Sequence, residues 1–298
     1  MINSGKFFLL SIIFFLHSCK NNRELPTIVL QTDFGLKDGA VAAMKGVIVG
    51  VDPAIKIYDL THDIPAYDTW EAAYRLQQTA EYWPAGTIFV SVVDPGVGTN
   101  RKSIILKTKS GHFFVSPDNG TLTLVSEQLG IAEVRQIDEA INRRQSSGSS
   151  YTFHGRDVYA YTAGRLAAGV ITFDQVGKRL PDSVTMMPYQ KAVMQKDTIR
   201  GMIPILDTQY GNVWTNIPDS LMRTFKYGDT ITCSILNNGR LIFAGSIPLA
   251  KTFGEVAQGQ VMGYYNSLMQ FSLAINQGNF ADSFHIGTGP EWQIACWK

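Results

Sequence analysis

Thr87-Ile-Phe-Val-Ser-Val-Val-Asp-Pro-Gly-Val-Gly98 is the stretch that decides the fold of this chain. Residues 87–93 are apolar and rich in β-branched side chains, without the polar alternation of a strand wet on one face. They predict a strand covered on both sides, as in a sheet with helices on each face. The flanking segments agree. Upstream, residues 27–32 read as a short strand and residues 56–60 as a second one. Between them, residues 37–51 have helical spacing, with Ala40, Met44, Val47 and Val51 on one face. Asp68 is a good N-cap for a helix carrying Trp70, Ala73, Tyr74 and Tyr82 and ended by Pro84. Downstream come strands over 103–109 and 113–116, then a helix over 157–168 closed by Gly169. This alternation predicts an α/β N-terminal domain over residues 26–180, with a largely parallel sheet in Rossmann-like layers.

Beyond residue 179 the pattern changes. Pro181 and Pro188 interrupt a weakly patterned linker. Short strands follow over 203–206, 213–217, 230–235, 241–244 and 293–297, and Asn237-Asn238-Gly239 is a hairpin turn. Only residues 267–276 read as helical. The expectation is a smaller all-β domain over 191–298, a barrel or sandwich.

The chain has 298 residues, 45% hydrophobic and 17% charged, which suits a globular protein and excludes disorder. Lys and Arg number 26 against 25 Asp and Glu, a net charge of +1 that excludes a basic nucleic-acid binder. Cys19, Cys233 and Cys296 match no zinc spacing and cannot form a disulfide scaffold. The first of them has a particular setting. Lys6 precedes an apolar run over 7–16, which as a helix would rise only about 15 Å, half a bilayer core. Such a charged start and short apolar core predict a secretory signal. Leu16-His17-Ser18-Cys19 resembles the lipobox of bacterial lipoproteins. The expectation is a signal peptide over 1–19, lipidation at Cys19, a tether over 20–25 and a lipid-anchored protein of the cell envelope.

In open α/β sheets, ligands bind beyond the carboxyl ends of the strands. Here those ends carry Thr32-Asp33-Phe34-Gly35, Asp59-Leu-Thr-His-Asp63, Val93-Asp94-Pro95-Gly96 and Pro117-Asp118-Asn119-Gly120, while Phe153-His154-Gly155-Arg156-Asp157 opens the last helix. Each alone is an ordinary turn sequence; five at corresponding positions predict a site. The residues admit two chemistries, a metal-assisted hydrolysis or a carboxylate grip on a small polyhydroxylated or cationic molecule with His or Arg activating water. Glycines beside the acids suit close backbone approach to a ligand.

Taken together, TDFG, DLTHDIPAYD, VVDPGVGT, SPDNG, TFHGRD and, in the second domain, DTQYGNVWTNI resemble the S-adenosylmethionine hydroxide adenosyltransferases, relatives of the fluorinating and chlorinating enzymes. The resemblance spans residues 26–298. It implies hydrolysis of S-adenosyl-L-methionine to adenosine and L-methionine without metal or cofactor, and a homotrimer with active sites between subunits. It also implies a catalytic set of Asp68, Arg75 and His154. Asp33 matches a residue on the ribose diol, Tyr67 an aromatic beside the ribose and reacting centre, and Asp94 joins the substrate contacts. Asp38 and Asp207 resemble residues near the methionine ammonium, Ser267 one near its carboxylate, and Asn212, Trp214 and Phe253 the adenine end. The halogenating enzymes carry a tyrosine and threonines for halide where this chain has residues 93–99, which favours water. They also carry an arginine where Leu268 stands. Two rival readings of the same residues are an exported nucleoside-binding protein with little turnover and a metal-dependent hydrolase.

Overall fold

The computed structural model describes residues 24–298. The N-terminal domain is built from β1 (Ile28–Thr32), α1 (Ala40–Val51), β2 (Ile57–Thr61), α2 (Thr69–Thr79), β3 (Ile88–Val92), β4 (Ser103–Thr108), β5 (Phe113–Pro117), α3 (Thr123–Leu129), β6 (Ile131–Gln136), α4 (Glu139–Asn142) and α5 (Tyr161–Ala167). The strands form one sheet in the order β2-β1-β3-β5-β4-β6. The first four are parallel, and β4 runs antiparallel to both of its neighbours.

The apolar run at Ile88–Val92 is an inner strand, β3, with every residue buried. Its side chains alternate between two cores, as the two-residue period of a strand requires. Ile88, Val90 and Val92 join Ile28 and Leu30 against Met44 and Ile48 of α1 and Ala163 of α5. Phe89 and Val29 face the other way, against Leu76 of α2 and Phe114 of β5. Each such side chain, fully buried, contributes about 1.5–3 kcal/mol relative to exposure. Helix α2 starts where its sequence says: the Asp68 side chain accepts the Glu71 N–H at 2.8 Å.

The C-terminal domain comprises β7 (Val193–Gln195), β8 (Thr198–Ile203), β9 (Ile205–Asp207), β10 (Asn212–Pro218), β11 (Thr230–Asn237), β12 (Arg240–Pro248), β13 (Val261–Tyr265), β14 (Gln270–Ile275), α6 (Phe280–Phe284) and β15 (Gly289–Trp297). They make two antiparallel sheets, β13-β14-β10-β9 and β12-β11-β15-β8-β7. Both sheets feed one core, including Ile231, Cys233 and Ile235 of β11 and Phe271 and Leu273 of β14. Asn238 and Gly239 take left-handed backbone at φ 49° and 78°, the hairpin turn between β11 and β12. Cys233 and Cys296 are buried free thiols paired across β11 and β15, with Sγ atoms 3.3 Å apart.

Three sequence expectations are corrected here. Residues 267–276 are not a helix: a turn held by Asn266 leads into β14, which pairs with β10 and β13. Alternating burial of Phe271 and Leu273 in the core overrides the helical propensity of Leu and Ala. The single strand expected over 203–206 is two, β8 and β9, divided at Pro204, which has no N–H for a ladder. The envelope anchor is also not upheld. Among the described residues no helix is long and apolar enough to cross a membrane, and the signal segment with Cys19 lies outside them.

Candidate functional site

The strand ends of the parallel sheet enclose a cavity of about 240 Å³. Its walls include Asp33, just beyond β1; Asp94, just beyond β3; Tyr67, ahead of α2; and His154, ahead of the helical turn that leads into α5. These four expected residues therefore meet at one place. Phe34 and Val92 give it an apolar floor.

Local geometry explains how each is held. The Tyr67 N–H donates to Asp33 Oδ2 at 3.0 Å. Tyr67 has φ 70°, a region a bulky residue rarely enters, and this bond from the next strand helps to hold it there. The turn leaves its ring 70% exposed at the cavity rim. Asp94 is gripped by Arg101, whose Nε lies 3.0 Å from both carboxylate oxygens and whose Nη2 lies 2.5 Å from Oδ2. Asn119 Nδ2 donates to the Val93 carbonyl at 2.8 Å, so the SPDNG motif braces the end of β3. His154 is buried, its Nε2 lies 3.2 Å from Arg143 Nη2, and its Nδ1 has no hydrogen-bond partner.

A second cavity, of about 1000 Å³, opens on the C-terminal domain. Asp207, Asn212, Trp214, Phe253 and Ser267 all line it, together with Tyr264. Asn212 Nδ2 donates to Asp207 Oδ2 at 3.1 Å, and Trp214 Nε1 donates to the Tyr264 hydroxyl at 3.2 Å. Burial pushes that hydroxyl up to about 12, so it stays protonated. The Phe253 and Tyr264 rings are 5.2 Å apart, giving flat aromatic walls to this cavity. Gly211 has φ 66°, and a Cβ there would lie 1.8 Å from Asn279 Oδ1, so this wall requires glycine.

Arg75 lies on a neighbouring groove that shares Asp207, Gln209 and Ser267 with the second cavity. Its guanidinium is bound to Glu71 at 2.9 Å, Gln78 at 3.1 Å and Thr208 at 3.4 Å. Asp68 is engaged as the cap of α2, and Asp38, which is exposed, accepts the Ala40 N–H at 2.8 Å at the start of α1. Of the twelve expected site residues, four thus line the first cavity, five the second and Arg75 the groove beside it, while Asp38 and Asp68 bind backbone at the starts of α1 and α2. Among the described residues, no group of three or more His, Cys, Asp or Glu side chains is placed to hold a metal ion.

Residues 28–177 match the SAM hydroxide adenosyltransferase N-terminal domain, and residues 201–293 match the corresponding C-terminal domain. The chain belongs to the SAM hydroxide adenosyltransferase family. It is 38% identical over 215 residues to the (R)-S-adenosyl-L-methionine hydrolase of Methanocaldococcus jannaschii, covering 71% of this chain and 74% of that protein. It is 33% identical over 274 residues to the enzyme of the same name from Salinispora tropica, covering 91% and 98%. A fluorinase of Actinoplanes is 26% identical, covering 89% and 95%. In structure the chain is similar to an uncharacterised conserved protein of Thermotoga maritima, with a TM-score of 0.83 at 33% identity, covering 91% of this chain and all of that one.

Sequence reasoning missed the charged partners behind the first cavity of this family member, namely Arg101, Glu139 and Arg143. Arg101 follows the Asp94 turn by seven residues, and an isolated basic residue there carries no periodic signal. Glu139 and Arg143 have helical i, i+4 spacing, the one feature that flags them as a pair.

Proposed function

We propose that this protein hydrolyses (R)-S-adenosyl-L-methionine to adenosine and L-methionine. The observation that carries this reading is the joint presence of both family domains and, at the strand ends of the first, a cavity walled by Asp33, Tyr67, Asp94 and His154. The water oxygen bonds to C5′, the C5′–S electron pair leaves with sulfur, and the water sheds a proton. The sulfonium departs as a neutral thioether, so the step calls for no general acid, metal or cofactor. What the protein supplies is an aligned water and a fixed substrate.

Asp33 suits the ribose diol, since one carboxylate accepts two hydroxyl protons. Tyr67 offers an electron-rich ring to the sulfonium. Asp38 and Asp207 are assigned to the methionine ammonium and Ser267 to the carboxylate. Asn212, Trp214 and Phe253 form the adenine end, and Asp94 shapes the wall between. Asp68, Arg75 and His154 make up the catalytic set.

Size supports a shared site. Small-molecule sites span about 300–1,000 Å³, so the first cavity, about 240 Å³, is too small for the whole substrate. Exposed Tyr67 and Val97 rim it, and exposed Tyr210 and Phe253 rim the larger one. We assign the complete site to the junction of the first cavity of one subunit with the second cavity of its neighbour in a homotrimer. In this reading the α/β domain occupies residues 26–180, and residues 191–298 form a barrel-like domain that closes the site. Light scattering should return three times the 33.0 kDa chain mass. Incubating the full chain with the substrate and separating the products by chromatography should give adenosine and methionine in equal amounts. Binding without either product would mark a nucleoside-binding protein instead.

A further inference from the structure

His154 is the one ring of the first cavity with both nitrogens unexplained by substrate grip, and its surroundings fix which of them carries the proton. A guanidinium has donors only, so the 3.2 Å contact between Arg143 Nη2 and His154 Nε2 makes Nε2 the acceptor. The neutral ring then holds its proton on Nδ1, the atom to which the protein offers no partner. Arg143 is itself pinned. Its Nη2 donates to Glu139 Oε2 at 2.5 Å, its Nη1 donates to the Ser150 carbonyl at 3.2 Å, and its guanidinium sits 5.3 Å over the Tyr151 ring. Glu139 is fixed in turn: the Ser103 hydroxyl donates to its Oε1 at 3.1 Å and accepts from Arg101 Nη1 at 3.0 Å. A continuous hydrogen-bonded chain therefore runs behind the cavity wall from Asp94 through Arg101, Ser103, Glu139 and Arg143 to His154.

We propose that Arg143, braced by Glu139, is a positioning residue that holds neutral His154 in the Nδ1–H tautomer and fixes its ring in the wall of the first cavity. This rests on the reading of the first cavity as the hydrolytic site. The competing partner for Nε2 is Glu139 Oε2, at 3.6 Å, which would accept an Nε2 proton if Arg143 were absent. The arginine therefore selects the tautomer against the carboxylate beside it. The titratable and charged groups facing the ring are Glu139, Arg143 and, 6.5 Å away between centroids, Tyr159.

The test is long-range ¹H–¹⁵N correlation spectroscopy of the full chain labelled at histidine nitrogens, at neutral to mildly alkaline pH, with His154 assigned by its loss in His154→Gln. The wild-type ring should show the Nδ1–H pattern. Arg143→Gln should convert it to the Nε2–H pattern and lower kcat at least about tenfold with little change in KM, the signature of lost alignment and not of lost grip. Arg143→Lys, which keeps one donor, should recover part of both. Glu139→Gln should leave the proton on Nδ1. An Nε2–H ring in the wild type, or an unchanged tautomer in Arg143→Gln, would overturn the proposal. The wild-type spectrum alone decides the matter if a variant fails to fold. It is independent of turnover, so an absence of adenosine would count against the hydrolase reading and not against the tautomer.

Discussion

Replacing Arg101 with alanine strands a carboxylate in the wall of the first cavity. Asp94 and Arg101 have side chains only 6% and 10% exposed, so the pair is poorly screened by solvent. The change removes a bifurcated contact from Nε, 3.0 Å to each oxygen, and a 2.5 Å contact from Nη2. Breaking one partner of a buried pair costs about 3–5 kcal/mol, because a bare charge remains in a poorly solvated place. With a urea dependence of about 3 kcal/mol per molar at most for a small domain, the unfolding midpoint should fall by about 1 M or more. Removing both charges together, as Asp94→Asn with Arg101→Met, leaves no bare charge and should restore most of the loss. Urea titrations followed by tryptophan fluorescence measure all three proteins on one scale. A midpoint shift for Arg101→Ala below about 0.3 M would match the worth of a solvent-screened surface pair and contradict this account of the wall.

Other substitutions separate structural from chemical roles. Asp68→Ala removes the α2 cap and should cost about 1 kcal/mol in denaturant melts; a fall in kcat of about a hundredfold or more beyond that would establish its catalytic part. Gly211→Ala drives a methyl group into Asn279 at a left-handed position, so it should raise KM through the second cavity while leaving the first intact. Glu139 has a folded-state value of about 2, below that of an unfolded glutamate, so its contribution to stability is complete above about pH 4.3 and is lost as pH falls toward 2. Melts of Glu139→Gln across that range should therefore decline less steeply than those of the wild type.

How far the sequence reveals this protein depends on the range of each interaction. The run at Ile88–Val92 is legible because burial on both faces removes all polar alternation, and it fixes the class of the first domain. His154 and Asp33 are legible because they sit at strand and helix ends, where neighbouring glycines advertise close approach. Residues 267–276 mislead because Leu and Ala favour helix locally, while the outcome is set by pairing with β10, more than fifty residues away. Arg101 is invisible for a related reason, and Glu139 and Arg143 show only their i, i+4 spacing. A salt bridge is chosen by three-dimensional proximity, and single charges leave no period along the chain. The same holds for the separation of the expected contacts into two cavities. Asp33 and Asp207 are equally good ligands in a sequence, but only folding shows that each chain carries them on different surfaces.

The central claim is attack by water at C5′ of S-adenosyl-L-methionine, and turnover in H₂¹⁸O tests it most directly. Adenosine should carry one ¹⁸O at its 5′-hydroxyl and methionine none, with formation of both products abolished in His154→Ala that still binds the substrate. Unlabelled adenosine, release of adenine or methylthioadenosine in its place, or full activity in His154→Ala would contradict it.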